Sequence, residues 1–406
     1  MRKYLLSGLC AIVLTFSPTH LTKAGEHFSP IPFSIILPEG ERIGFINPVQ
    51  NTWEIAPSYI EAHPFQADYF TPTWVKVPGK GYTLVTHQGL QRFDPLPFEE
   101  VFPPSEGLAR FRLNGLYGYL SVSDGSFVIA PQYEQARDFS EGLAAVEYKM
   151  NRWKFIDSDN KAAFPNEITF AYSYKNGLAV VQQRGDGLYG LIDKKARWVF
   201  PPRYGAMSPS YKGTALVGHV EVKYKKYLDY FEFVPSDGVR HDPNEFQEIG
   251  FFSEDIASVK MNDKWGYVDT QGKWVIEPRF EEVQEFTTPN IAAAKLDGLW
   301  GIVQKDGSWL ISPTWKTEPD LTLYTGGRYE TGDSSQNILA PIIRVDGYLL
   351  NEKGEKLPHY VNSMLDGKVA LHSGNKASAI AAFEQALTYI PNDQGALFGI
   401  KQANAL

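Results

Sequence analysis

The sequence predicts an all-β repeat array of stacked antiparallel hairpins, an open solenoid or a propeller-like ring, with a small α-helical segment at its C-terminal end. Three observations predict it. One phrase returns at a steady interval, the residues between its copies form short aromatic and β-branched runs separated by turn residues, and the pattern becomes helical after residue 358.

The interval is set by the alanine that ends each phrase: Ala109, Ala144, Ala179, Ala215, Ala257 and Ala292, spaced 35, 35, 36, 42 and 35 residues apart. A second marker keeps the same time, at Gly118, Lys154, Gly190, Gly266 and Gly301. Such a period marks a repeat array. Divergent copies begin at Arg42, Lys80, Tyr230 and Val345, giving about nine units over residues 41–358, with residues 25–40 left as a leader.

Each unit reads as β-structure. "GYVD" and "KWVIEP" are strand-like runs joined by "TQG", and "SDG", "KDG" and "EKG" stand at the same place. Glycine there supplies the positive φ of a tight hairpin. Pro131, Pro201, Pro278 and Pro313 follow the second run, where a missing N–H is expected to end pairing. The third run, "GLAAV" or "IAAAK", carries alanine where neighbouring units must approach closely. The glycine after the aromatic residue marks a bulge or a close backbone contact.

These units resemble the WG repeat, a short bacterial β-repeat. The match is close at 116–146 and 264–294, recognisable at 188–217 and 299–313, and degenerate elsewhere: Lys154 replaces one marker glycine, and Asp255 and Asn290 replace the turn glycine in two copies. The resemblance implies an interaction-type array, since no reaction is attached to this repeat as a class.

From Tyr360 onward, Gly367, Ala379, Phe383 and Ala386 precede Pro391 at spacings that resemble one tetratricopeptide unit over 359–406, with Leu397 and Ile400 opening a third, solvating helix. One such unit is too small to bury its own face. It serves as a cap on the β-array or as a partner-binding module.

At the other end, Arg2 and Lys3, an apolar stretch from Tyr4 to Phe16, and Thr22-Lys23-Ala24 have the layout of a secretory signal peptide cleaved near Ala24. The stretch is shorter than the roughly 20 apolar residues of a membrane span. Cys10, the only cysteine, lacks a small residue directly before it, which argues against a lipid anchor. Without residues 1–24 the balance is 36 basic to 47 acidic residues, or −11, which makes nucleic acid and anionic lipid poor partners. The expected location is the periplasm or outside the cell.

Motifs for chemistry find little support. "GDGLYG" at 185–190 is followed by a strand-like run rather than a helix, so a dinucleotide is not expected. "DSDNKA" from Asp157 has two acids at calcium-loop spacing but Ala162 where the loop needs glycine, so a hairpin turn is favoured. The histidines never stand two, three or four apart, and no mature cysteine remains for a thiol nucleophile or metal thiolate. No cofactor, metal or catalytic residue is expected.

What remains are breaks in the rhythm. The 42-residue interval contains Lys223, Lys225 and Lys226 interleaved with Tyr224, Tyr227 and Tyr230, and a later insert contains Trp315, Tyr324, Arg328 and Tyr329. Insertions in repeat proteins map to loops on one face, often the binding face. The sequence therefore points to an exported, non-catalytic scaffold or binding protein for a protein or glycan of the cell envelope. An envelope enzyme acting on polysaccharide and a neutralising partner for a secreted toxin are the alternatives. Export is checked by N-terminal sequencing of the periplasmic fraction, which should begin near Gly25; a mature chain still beginning at Met1 overturns it.

Overall fold

The computed structural model describes residues 30–406 except 49, 67–70, 165–167, 186, 208–213, 222–225, 236–245, 254, 287–289, 322–342 and 352. The export signal expected over residues 1–24 lies outside them. Among the described residues, strands form antiparallel meanders in which hydrogen-bonded neighbours are also neighbours in sequence. They group into nine units: 31–59, 61–85, 100–133, 135–156, 168–204, 206–235, 248–280, 282–315 and 343–350. The fourth and fifth share one seven-stranded sheet, joined only at Trp153 and Ile168.

A full unit has four strands, as in Glu282–Val283, Ile291–Leu296, Leu299–Gln304 and Trp309–Trp315. Two-residue turns close the second pair of strands: Asn114-Gly115, Asp297-Gly298 and Asp346-Gly347 all take positive φ at both positions, as hairpin turns of matching twist require. The next turn is held by a side chain. Asp269 Oδ1 accepts the N–H groups of Gln271 and Lys273 at 2.9 and 3.0 Å, with Gly272 at φ +78°. At Asp157 the same design makes the expected hairpin, Lys161 N–H donating to Asp157 Oδ1 at 2.9 Å.

The prolines do not end their strands. Pro131 lies inside Phe127–Tyr133, and Tyr133 still pairs with Tyr117 beyond a register shift. The missing N–H falls in a bulge, where no partner is required. The marker glycine makes that bulge possible: a Cβ on Gly266 would stand 2.5 Å from the Ile276 carbonyl oxygen and 2.8 Å from Pro278 N, and Gly118, Gly190 and Gly301 meet the same backbone. Where Lys154 replaces the glycine, the sheet continues into the next unit through the pairing of Trp153 with Ile168.

Units pack face to face, so their strands are buried on both sides and must stay thin. Ala144 packs with Tyr119, Ile129 and Phe139, toward the unit before, while Ala145 packs with Phe155 and Tyr174, toward the unit after. Ala292 and Ala294 likewise join Tyr267 and Phe286, and Ala293 joins Ile311 and Ile343.

The repeat register is offset from the sheets, since each sequence repeat ends one sheet and begins the next. Sheet one therefore needs a strand before its first glycine hairpin. Ile31–Leu37 supplies it, pairing along its length with Gly40–Ile46, so most of the stretch set apart as a leader belongs to the array.

Three helices complete the chain, α1 (Tyr360–His372), α2 (Lys376–Tyr389) and α3 (Gln394–Asn404), with His359, Asn375 and Asp393 as N-caps. Phe383 of α2 is clamped between Gly367 of α1 and Gly399 of α3, each leaving room only because it lacks a Cβ. The third helix is not a solvating one: its Gly395 and Ala396 are buried, and Gly395 lies against Ile35 of the first sheet. One core unites Ile31, Ile35 and Ile46 of the first unit, Leu349 of the last, and Tyr360, Met364 and Phe383 of the helices. The two ends of the array thus meet through the helical segment.

Two predictions follow from this packing. Ala144→Leu should lower the denaturation midpoint by the equivalent of about 1–3 kcal/mol, typical of overpacking, while the same change at the exposed Ala130 should leave it nearly unchanged; an unmoved midpoint at Ala144 contradicts close inter-unit contact. The second concerns His359, whose Nδ1 accepts the Val361 N–H at 3.0 Å while Nε2 donates to the Pro48 carbonyl at 3.1 Å. Burial holds its pKa down to about 4 from 6.5. A neutral ring in the fold and a normal one in the unfolded chain give stability that is complete above 6.5 and lost as pH falls toward 4, on the order of 3 kcal/mol. His359→Asn should flatten that part of the stability profile; a profile identical to wild type refutes the assignment.

Candidate functional site

The serine-glutamate turns form a ladder along one end of the units. Glu106 and Glu141 take positive φ beside Gly107 and Gly142. Ser105 Oγ donates to the Phe139 carbonyl at 2.7 Å, and Ser140 Oγ to that of Tyr174 at 2.6 Å. The Glu106 carboxylate accepts the Glu141 and Gly142 N–H groups, and Glu141 accepts that of Gly177. Burial opposes the charge on Glu141, but the Gly177 N–H and Lys194 outweigh it and hold its carboxyl below the usual range. Asp255 and Asn290 adopt the positive φ of the turn glycines they replace, a conformation these two residue types tolerate.

Acids and bases also pair across strands at a repeated position. Glu61 faces Lys76, Glu100 faces Arg112, Glu248 faces Lys260 and Glu282 faces Lys295. The last two pairs close to 2.5 Å. Such partly exposed pairs contribute little individually. They do engage these carboxylates in the architecture, and the turn aspartates are engaged by their own loops.

One charge stands outside this pattern. Phe102, Arg137 and Tyr172 occupy the same place in successive units, 35 residues apart, each with its N–H bonded to the neighbouring alanine strand or its equivalent. The middle one is a cation. Its guanidinium carbon lies 5.7 Å from the Trp153 ring, 5.4 Å from Phe170 and 5.7 Å from Tyr172. Its Nε is buried without a hydrogen-bond partner. Arg110, one unit earlier, has its acid: Nε meets Asp138 Oδ1 at 2.7 Å while the guanidinium stacks 3.5 Å over Phe102. Phe170 packs edge-on with Tyr172 and Tyr189 at 4.9 and 6.1 Å. Phe102, Arg137, Phe170, Tyr172 and Tyr189 are all partly exposed. Together they make an aromatic shelf across three units, with one cation unpaired among the described residues. Sequence inspection missed it, although the 35-residue register alone shows arginine where adjacent units carry aromatic rings.

The residues singled out from the inserts fare differently. Lys223, Tyr224, Lys225, Tyr324, Arg328 and Tyr329 lie outside the described residues. Lys226, Tyr227 and Tyr230 have their backbone in the strand Lys226–Pro235, where Lys226 pairs with Glu221 and Tyr227 with Val220. Trp315 ends the strand Trp309–Trp315 opposite Trp300 and packs against the core joining the last two units. None of these described positions adjoins the Arg137 shelf in the sheet order. Among the described residues no helix is long and apolar enough to cross a membrane.

No curated protein matches the sequence. Among solved structures, one described as the eukaryotic initiation factor superposes with a TM-score of 0.51 over 82% of this chain and 95% of that one, at 8% identity, a likeness of fold alone. Hsv2 of Kluyveromyces lactis aligns at a TM-score of 0.30 and 11% identity, over 61% of this chain and 74% of its own. The extracellular domain of a hybrid two-component system from B. thetaiotaomicron aligns at 0.33 and 10%, over 66% of this chain and 43% of its own. The family model of the WG containing repeat matches residues 95–117, 118–153, 155–185, 189–218, 242–265 and 265–300. The repeats beginning at Gly118 and ending at Trp153 straddle two sheets, as the structure requires. Six stretches between residues 95 and 300 are thus similar to the WG containing repeat.

Proposed function

We propose that this protein is an exported, non-catalytic binding or scaffold protein that engages a protein or glycan of the cell envelope across the shelf formed by units three to five. The observation that carries this reading is the Arg137 guanidinium, set among Trp153, Phe170 and Tyr172 with no acid paired to it among the described residues. A partly exposed shelf of aromatic rings with one unneutralised cation has the composition of a recognition surface, where aromatic residues and arginine contribute most. The non-catalytic reading is supported by how the acids are used: Asp124, Asp193, Asp269 and Asp306 hold turns, and Glu100, Glu248 and Glu282 pair with cations across strands. The helical segment acts in this reading as the closure of the array, and its tetratricopeptide-like spacing serves packing rather than a partner.

A photo-cross-linking residue at position 172 tests the face. In intact cells it should give a discrete adduct, protein or glycan, while the same residue at the exposed hairpin tip Met150 should give none. Equal labelling from both positions, or no adduct from 172, removes this face as the binding surface.

A further inference from the structure

Arg137 has no architectural need of its charge. Phe102 and Tyr172 fill the same place in adjacent units with uncharged rings, so the fold accepts an apolar side chain there. Burying part of a guanidinium without an acid is unfavourable, because its desolvation is not compensated. Attraction to the three surrounding rings offsets some of that cost, yet it satisfies none of the five N–H donors of the fork. Asp138, next in sequence, is turned away to Arg110 at 2.7 Å, and Ser173 Oγ bonds the Asp138 carbonyl at 3.2 Å, which keeps that residue in place. Among the described residues, Arg137 is therefore left without an acid.

We propose that Arg137 anchors an acidic glycan, taking the carboxylate of a uronic-acid residue in its guanidinium fork while the pyranose ring lies on Phe170 and Tyr172. This rests on the reading of the protein as a binding protein. A uronate carries one carboxylate on a rigid ring, matching one open cation beside aromatic faces, and arginine pairs with carboxylates through two parallel hydrogen bonds. A polyanion of higher charge density fits less well. The chain carries a net charge of −8, and the other cation of the shelf, Arg110, is already neutralised. A run of acidic peptide side chains would want a run of cations, which the shelf does not offer. Aromatic surface with a few placed polar groups is the usual make-up of a small-ligand site.

The test is calorimetric titration of the full chain with tetragalacturonate, its methyl ester and a tetraglutamate peptide, at low salt, for wild type and Arg137→Met. Wild type should bind the acidic tetramer at least tenfold more tightly than the ester or the peptide. Arg137→Met should lose that preference while melting at or above the wild-type temperature, and Arg137→Lys, which keeps charge but not the fork, should fall between. No binding of the acidic tetramer, equal affinity for acid and ester, or tighter binding of the peptide overturns the proposal. So does a lowered melting temperature in Arg137→Met, which would make the guanidinium a structural staple. If position 172 still cross-links a discrete partner when the tetramer fails to bind, the binding face stands and only the uronate chemistry falls.

Discussion

The structure depends on the burial of its two ends by one helical segment. Among the described residues, internal units cover their neighbours' faces, but the first and last units each have a face that no repeat covers. Tyr360 and Asp393 resolve both at once: the Tyr360 hydroxyl and the Trp53 indole N–H donate to the two Asp393 carboxylate oxygens at 2.8 and 3.1 Å, and Asp393 also caps α3 through the Ala396 N–H. The Tyr360 backbone N–H reaches Asn51 of the first unit, and Asn362 bonds both the N–H and the carbonyl of Leu349 in the last. Residues more than 300 positions apart are held by these contacts, so the angle between successive units has to bring the ends within reach.

That angle is set by thin interfaces. Alanine on both faces of the second strand and glycine on the third let sheets and strands approach more closely than larger side chains allow, while the tyrosine after the glycine fills the space beside them. Tyr119 and Tyr267 are fully buried, and each donates its hydroxyl at 2.6 Å to a carbonyl of the next unit, at Arg137 and Gln284. A buried hydroxyl needs such a partner. The same contact that orders the core of unit three thus fixes the backbone of Arg137, so the shelf is positioned by the repeat even though its charge departs from the repeat.

Function on such a scaffold lives where a position is released from packing. Among the described residues most aromatic side chains of the array are core, as Trp74, Tyr174, Tyr267 and Phe280 show by their complete burial. Of the rings around Arg137, Trp153 is buried, while Phe170 on the short strand Ile168–Ala171 and Tyr172 just after it stay partly exposed. A large count of tyrosine and tryptophan therefore says little about binding until it is known which rings retain a free face.

The sequence by itself determined the repeat, its period, its hairpin turns and the change to helix near Tyr360, because each rests on local chemistry: positive φ at glycine or asparagine, aromatic and β-branched residues in short runs, and small residues at helical spacing. It also marked Ala144 and Ala292 as contact positions, since only a close approach explains alanine in a strand. The tertiary structure alone decided that the prolines sit within bulged strands, that Ile31–Leu37 completes the first sheet, and that α3 docks on Ile35 to join the two ends. It alone brought Trp153, Phe170 and Tyr172 around Arg137. These depend on pairing between strands and on packing between residues far apart in the chain, and a one-dimensional register records neither which face a side chain takes nor which charges find a partner.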